Sequence, residues 1–167
     1  MSSGAGSVIT AVRGYIQIDH TTQNPAGTHD LSGADSVQLG RFSMPPVASG
    51  FVAIAISGYT TSRASDALGP IPSGLYGRAL ELELAGWAPI VAAATPEARI
   101  TAGLELADDI TRALAAHRGF TAGTVYVEDS ETEITEIGGQ EVVGSAGGAW
   151  GLVRLRWTGY YRDTAGI

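Results

Sequence analysis

Three histidines and the carboxylates beside them are the side chains here best equipped for metal binding or acid–base chemistry. His20 follows Asp19 and His29 precedes Asp30, both in a polar stretch, so a small metal-dependent hydrolase built on His20, His29 and Asp30 is one chemistry to weigh. A helical metal site needs ligands one turn apart, as in His-x-x-x-His or Glu-x-x-His, and neither spacing supports one here. His117 falls in the last turn of a predicted helix, where a cation complements the carbonyl end of the helix dipole. Asp108 and Asp109 are adjacent on that helix and diverge by about 100° around its axis, so they are expected on a solvated face rather than sharing a substrate proton.

The glycine runs offer no phosphate cradle either. Gly138-Gly139 and Gly144-Ser-Ala-Gly147-Gly148 lack the lysine of a P-loop and a helical continuation, and there is no Gly-x-Ser-x-Gly elbow or dinucleotide fingerprint. No catalytic, cofactor-binding or metal-ligating residue is therefore assigned, and no cofactor is expected.

What remains is charge. In the segment WGLVRLRWTGYY, starting at Trp150, alternation puts Val153, Leu155 and Trp157 on one face of a strand and Arg154 and Arg156 on the other. A second segment, RALELELAGW from Arg78, sets Leu80, Leu82 and Leu84 against Glu81 and Glu83 in the same way. If the two strands are neighbours, or belong to adjacent subunits, two arginines meet two glutamates across a ladder. Each such pair contributes roughly 0.2 to 1 kcal/mol, whereas each buried Leu or Trp contributes roughly 1.5 to 3 kcal/mol. The apolar face sets the register, and the charges select the partner.

A DNA contact is the competing reading for these arginines. The chain carries 17 acidic and 10 basic residues, a net charge of -7, and this balance opposes a dedicated duplex-DNA binder. Every Lys/Arg position is an arginine, which is read first as codon bias in a GC-rich genome. With no cysteine among 167 residues, disulfides and thiolate chemistry are excluded. No signal peptide is recognised in the first residues, and no stretch reaches the roughly 18 apolar residues of a spanning helix, so a soluble chain with no membrane partner is expected.

These charged faces must be carried by an ordered scaffold. Ser7 to Ile16 has apolar residues at helical spacing, and Asp19 to Gly50 is a long polar connection in which Ser36 to Phe42 resembles a short strand. FVAIAISGY, from Phe51, is apolar on both faces and is expected as a central strand. Thr95-Pro96-Glu97 opens the clearest helix: Thr caps it, Pro takes the first turn, and Ile100, Leu104, Ala107, Ile110 and Leu114 form its apolar stripe. Asp108 and Arg112 can pair one turn apart on its polar side, and Gly119 is placed to end it.

Thr124 to Glu128 follows as a strand with Val125 and Val127 on one face. Ser130 to Ala149 is predicted as an acidic, glycine-rich excursion, part of it a hairpin arm turning at Gly138-Gly139. Glu131, Glu133, Glu136, Gly138 and Gly139 are its candidate interface residues. The expected architecture is α+β: one domain over residues 1–167 with two helices on a mostly antiparallel sheet. Its order is helix, strand, strand, helix, strand, strand, with long loops.

Taken together, three stretches resemble the tail terminator proteins of long-tailed phages, the minor tail protein U group and its tail-completion relatives. They are SMPPVASGFVAIAISGY, then RALELELAGW with the capped helix TPEARITAGLELADDITRALAAHRG, and last GGAWGLVRLRWTGYY. The longer 19–50 connection and the 130–149 excursion depart from the family's shorter members.

The resemblance implies a structural virion protein, not an enzyme, assembled in the host cytoplasm. It would form a ring with itself, typically a hexamer, that caps the tail tube protein, stops polymerisation and offers a surface to a head-completion or connector protein. Genomic DNA would pass through the lumen without specific binding, helped by an acidic lining to which Glu81, Glu83, Glu131, Glu133 and Glu136 are candidate contributors. Another neck or head-completion protein, a tail tube subunit, or a DNA-binding adaptor using Arg154 and Arg156 are the alternatives to the terminator.

Overall fold

Residues 4–39, 53–63, 75–90, 95–142 and 148–164 are described by a computed structural model; residues 53–63, 75–78, 139–142, 148 and 162–164 enter through their backbone alone. Helix α1 spans Gly4–Ile16, followed by β1 (Val37–Leu39), β2 (Ala53–Arg63) and β3 (Leu75–Pro89). Helix α2 (Pro96–Ala115) leads into β4 (Phe120–Ala122), β5 (Val125–Val142) and β6 (Gly148–Thr164). Among the described residues the strands form one sheet in the order β1-β2-β3-β6-β5-β4, parallel only between β1 and β2. The architecture is α+β with a mostly antiparallel sheet, and the long elements follow one another as the sequence predicts.

Alternation fixes the two faces of this sheet. Leu80, Leu82 and Leu84 of β3 and Val153, Leu155 and Trp157 of β6 are buried in one core with Val8, Val12 and Ile16 of α1 and Leu106, Ile110 and Leu114 of α2. Both helices therefore cover the same face. A one-residue slip of either strand would carry Glu81 and Glu83, or Arg154 and Arg156, into that core, which explains why the register is so strongly specified.

Helix α2 begins as predicted, with the Thr95 hydroxyl accepting from the Ala98 amide at 3.2 Å and Pro96 in the first turn. Its buried side is rotated from the predicted stripe, however. Ile100 and Leu104 are each 48% exposed, and Gly103, Leu106, Ala107, Ile110, Ala113 and Leu114 face the sheet. The cause is a close approach: a Cβ on Gly103 would stand 2.8 Å from the Leu152 carbonyl oxygen, so a glycine lets the helix settle onto β6 where Ile100 would hold it off.

Nor does Gly119 end the helix. Ala116 is its C-cap in right-handed geometry, and Gly123, at φ 61°, is the described glycine with positive φ, in the two-residue turn between β4 and β5.

Three expectations meet the structure differently again. Of the predicted strand Ser36 to Phe42, Val37–Leu39 is observed, and 40–42 lie outside the described residues. The central strand FVAIAISGY corresponds to β2, which lies between β1 and β3, but its burial falls outside the described side chains. The hairpin at Gly138-Gly139 does not exist. β5 runs unbroken through both glycines, with Gly138 opposite Leu152 and Gly139 opposite Gly151, because β6 offers a continuous ladder that outweighs the turn preference of a Gly-Gly pair.

Candidate functional site

The face of β3, β6 and β5 turned away from the helices brings the predicted charges together. Register places Glu83, Arg156 and Glu133 in one row and Ala85, Arg154 and Glu136 in the next. Arg154 Nε lies 2.9 Å from Glu136 Oε2. Arg156 Nε lies 3.3 Å from Glu81 Oε1, diagonally across the ladder, and its Nη1 is 3.9 Å from Glu133. The chain itself thus supplies carboxylates to both arginines, two from β5 and one from β3. Glu83 has no salt bridge among the described residues.

Glu131 and Asp129 extend the same surface. The Tyr160 hydroxyl donates to Glu131 at 3.0 Å, and that bond holds the phenol above its usual pKa. Arg118 grips Asp129 with two bonds of 3.0 Å, which hold the carboxyl below its usual range. Glu131, Glu133, Glu136 and Gly138, placed by sequence on an interface loop, are strand residues of this face. Gly139 belongs to the same strand, opposite Gly151. The local signal for Glu131 and Glu133 is their alternation with Thr132 and Ile134; the phase set by Val125 and Val127 is reset by a register shift between Val127 and Asp129, and a second shift before Glu136 hides that residue from a period of two.

These pairs do little for stability. Their side chains are 41 to 69% exposed, and ion pairs so wetted contribute about 0 to 1 kcal/mol each. Their effect is to order a surface on which six carboxylates, Glu81, Glu83, Asp129, Glu131, Glu133 and Glu136, outnumber the arginines paired with them, Arg118, Arg154 and Arg156.

At one end the same face turns apolar. Trp87, Ala85, Trp150 and Leu152 form a separate buried cluster, with Trp87 directly opposite Leu152. The sequence reading missed this cluster, although Trp150 and Leu152 alternate in phase with Arg154.

The histidines serve a different structure. Residues 18–31 close on themselves: Leu31 N donates to Ile18 O at 2.9 Å, His20 N to His29 O at 3.0 Å and Gly27 N to His20 O at 2.7 Å. Buried His20 sets Nε2 2.8 Å from Ile16 O. Asp30 is engaged by the hydroxyl and amide of Ser32, which hold its pKa low, and Asp19 by those of Thr21.

Asp109, predicted on a solvated face, is 1% exposed. It accepts from the amides of Thr28 and His29, at 3.1 and 2.8 Å, and lies 2.9 Å from His29 Nδ1. The donors come from a segment some eighty positions away, which no helix-face argument foresees. Asp108 is exposed and faces Arg112 at 3.8 Å, as predicted.

His117 stacks on Tyr15 with ring centroids 3.9 Å apart. Among the described residues no group of three or more His, Cys, Asp or Glu side chains stands ready to hold a metal ion, and no helix there is long and apolar enough to cross a membrane. No protein-family model matches the sequence, and no curated protein matches it.

Proposed function

We propose that this chain is a structural subunit of a phage tail, a terminator that assembles into a ring, caps the tail tube and presents a surface for joining the head. The observation that supports this reading is the division of the sheet: both helices lie on one face, and the other bears an ordered, predominantly acidic surface. Turned toward a channel, such a face repels phosphate and lets DNA slide past without adhering. Turned toward solvent, it keeps copies of the chain from pairing face to face. The ring and its hexameric order come from the family resemblance.

The reading is tested by imaging the purified protein alone and with growing tail tubes. Rings, or single subunits that cap tubes and halt their elongation, are the expected result. Extended tubes formed by the protein alone would make it a tube subunit instead, and tubes that elongate unaffected in its presence would remove the terminator role.

A further inference from the structure

Both edges of the sheet are open over long stretches among the described residues. β4 pairs only with Val125–Val127, so from Asp129 to Val142 the outer edge of β5 meets no described strand. At the other side β1 pairs with residues 54–56 of β2 and leaves 58–63 unmatched on that edge. An open edge presents a row of unpaired amides and carbonyls, and the available partner for such a row is another strand.

The two edges differ in character. β5 has no proline between Asp129 and Val142, and its Ile134 is 42% exposed. Beside it runs the α2 stripe of exposed Ile100 and Leu104, which continues to Thr111 at a hollow shared with Ser130 and Thr132. This edge therefore combines free backbone with an apolar shoulder, but its carboxylates Glu131, Glu133 and Glu136 would oppose one another if two β5 edges met. β2 contains no carboxylate and ends on Arg63, in register with Arg78; Arg162 stands one position on, opposite Gly77. β2 thus lacks the like charges that would oppose the carboxylates of β5.

We infer that the β5 edge of one copy accepts the β2 edge of the next, so that the sheet continues from subunit to subunit. The contact joins unlike surfaces, and a contact of that kind closes into a ring when the rotation permits. Neighbouring strands from β2 through β3 and β6 to β5 alternate in direction, so cyclic repetition makes the new junction antiparallel. Repetition also turns the same face of every sheet toward the axis. The edge pairing stands on the strands alone; only the closure rests on the terminator reading.

A cysteine-free chain allows a direct test. Thr132→Cys on β5 and Thr61→Cys on β2 lie at positions of the helix-bearing face by register with Trp157 and Leu80. A short bifunctional thiol reagent is added to each single variant, to their mixture and to the double variant, with assembly followed by sedimentation. The expected result is linked dimers from the mixture, a ladder of linked oligomers from the double variant, and none from either single variant. Linked dimers from Thr132→Cys alone would overturn the inference in favour of a two-fold β5 contact.

Rings without cross-links would overturn it while leaving the terminator reading intact. A chain that stays monomeric at every concentration would also overturn it, and tube capping would still decide the function. Cross-linked ladders from unlimited tubes would keep the edge pairing and remove the terminator.

Discussion

Replacing Asp109 by alanine is expected to destabilise the protein by roughly 3 to 5 kcal/mol, the cost of breaking a buried charged network from one side. The carboxylate is the common acceptor for the Thr28 and His29 amides and the partner of the His29 ring. Alanine would remove the acceptor of these part-buried donors, and each group left unsatisfied costs up to about 1 to 3 kcal/mol. The backbone of Gly27 lies directly against the same carboxylate, so no side chain there can move in as a substitute acceptor.

Denaturant unfolding measures the loss as a lower midpoint at unchanged slope. Hydrogen exchange should show the Thr28 and His29 amides losing protection first. Asp109→Asn, which keeps the shape but turns an NH2 group toward some of these donors, should fall between wild type and alanine. A loss below about 1 kcal/mol for the alanine variant would mean that the 18–31 loop is not held by this carboxylate.

Gly151→Val should be comparably damaging for the opposite reason, excess volume. A Cβ at residue 151 would stand 2.6 Å from the Gly103 amide nitrogen, 2.7 Å from Ala102 Cβ and 2.8 Å from the Arg99 carbonyl oxygen. None of these atoms sits at the end of a flexible side chain, so helix α2 must lift from β6. Overpacking typically costs about 1 to 3 kcal/mol, and a clash with backbone on several sides belongs at the upper end or beyond.

For a chain of this size each kcal/mol lowers the melting temperature by about 2 to 4 °C. Gly138→Ala is the internal control: its Cβ meets nothing within 4 Å, and the change should leave the melting temperature nearly unaltered. Equal effects at the two glycines would refute the close approach of helix and sheet.

These two residues also mark where sequence and structure part. The alternation of leucine with glutamate in β3, and of aliphatic residues with arginine in β6, was readable because a period of two has one physical interpretation when one face must be buried. The capped start of α2 was equally plain. Its rotation was not, since a hydrophobic pattern gives Gly103 little weight, while in the packed structure the missing side chain draws the helix to Gly151.

Asp109 escaped because its partners are backbone amides of a polar loop without periodicity. Gly138-Gly139 misled because turn preference is local and the β6 ladder is not. Of the charged surface, the arginines and glutamates were legible one strand at a time. That Glu133 and Glu136 of β5 complete it required the actual strand order.

That order has a consequence for how the protein comes into being. β6 follows the other described strands in sequence, yet it lies between β3 and β5 and is paired along nearly its whole length on both sides. Until Gly148–Thr164 has left the ribosome, the leucines of β3 and the valines of β5 have no strand to bridge them, and α2 has only part of its floor. The sheet can therefore close only after β6 has emerged, around the strand that bridges its two halves. Anything that delays or truncates that segment leaves two long strand edges waiting for the wrong partner.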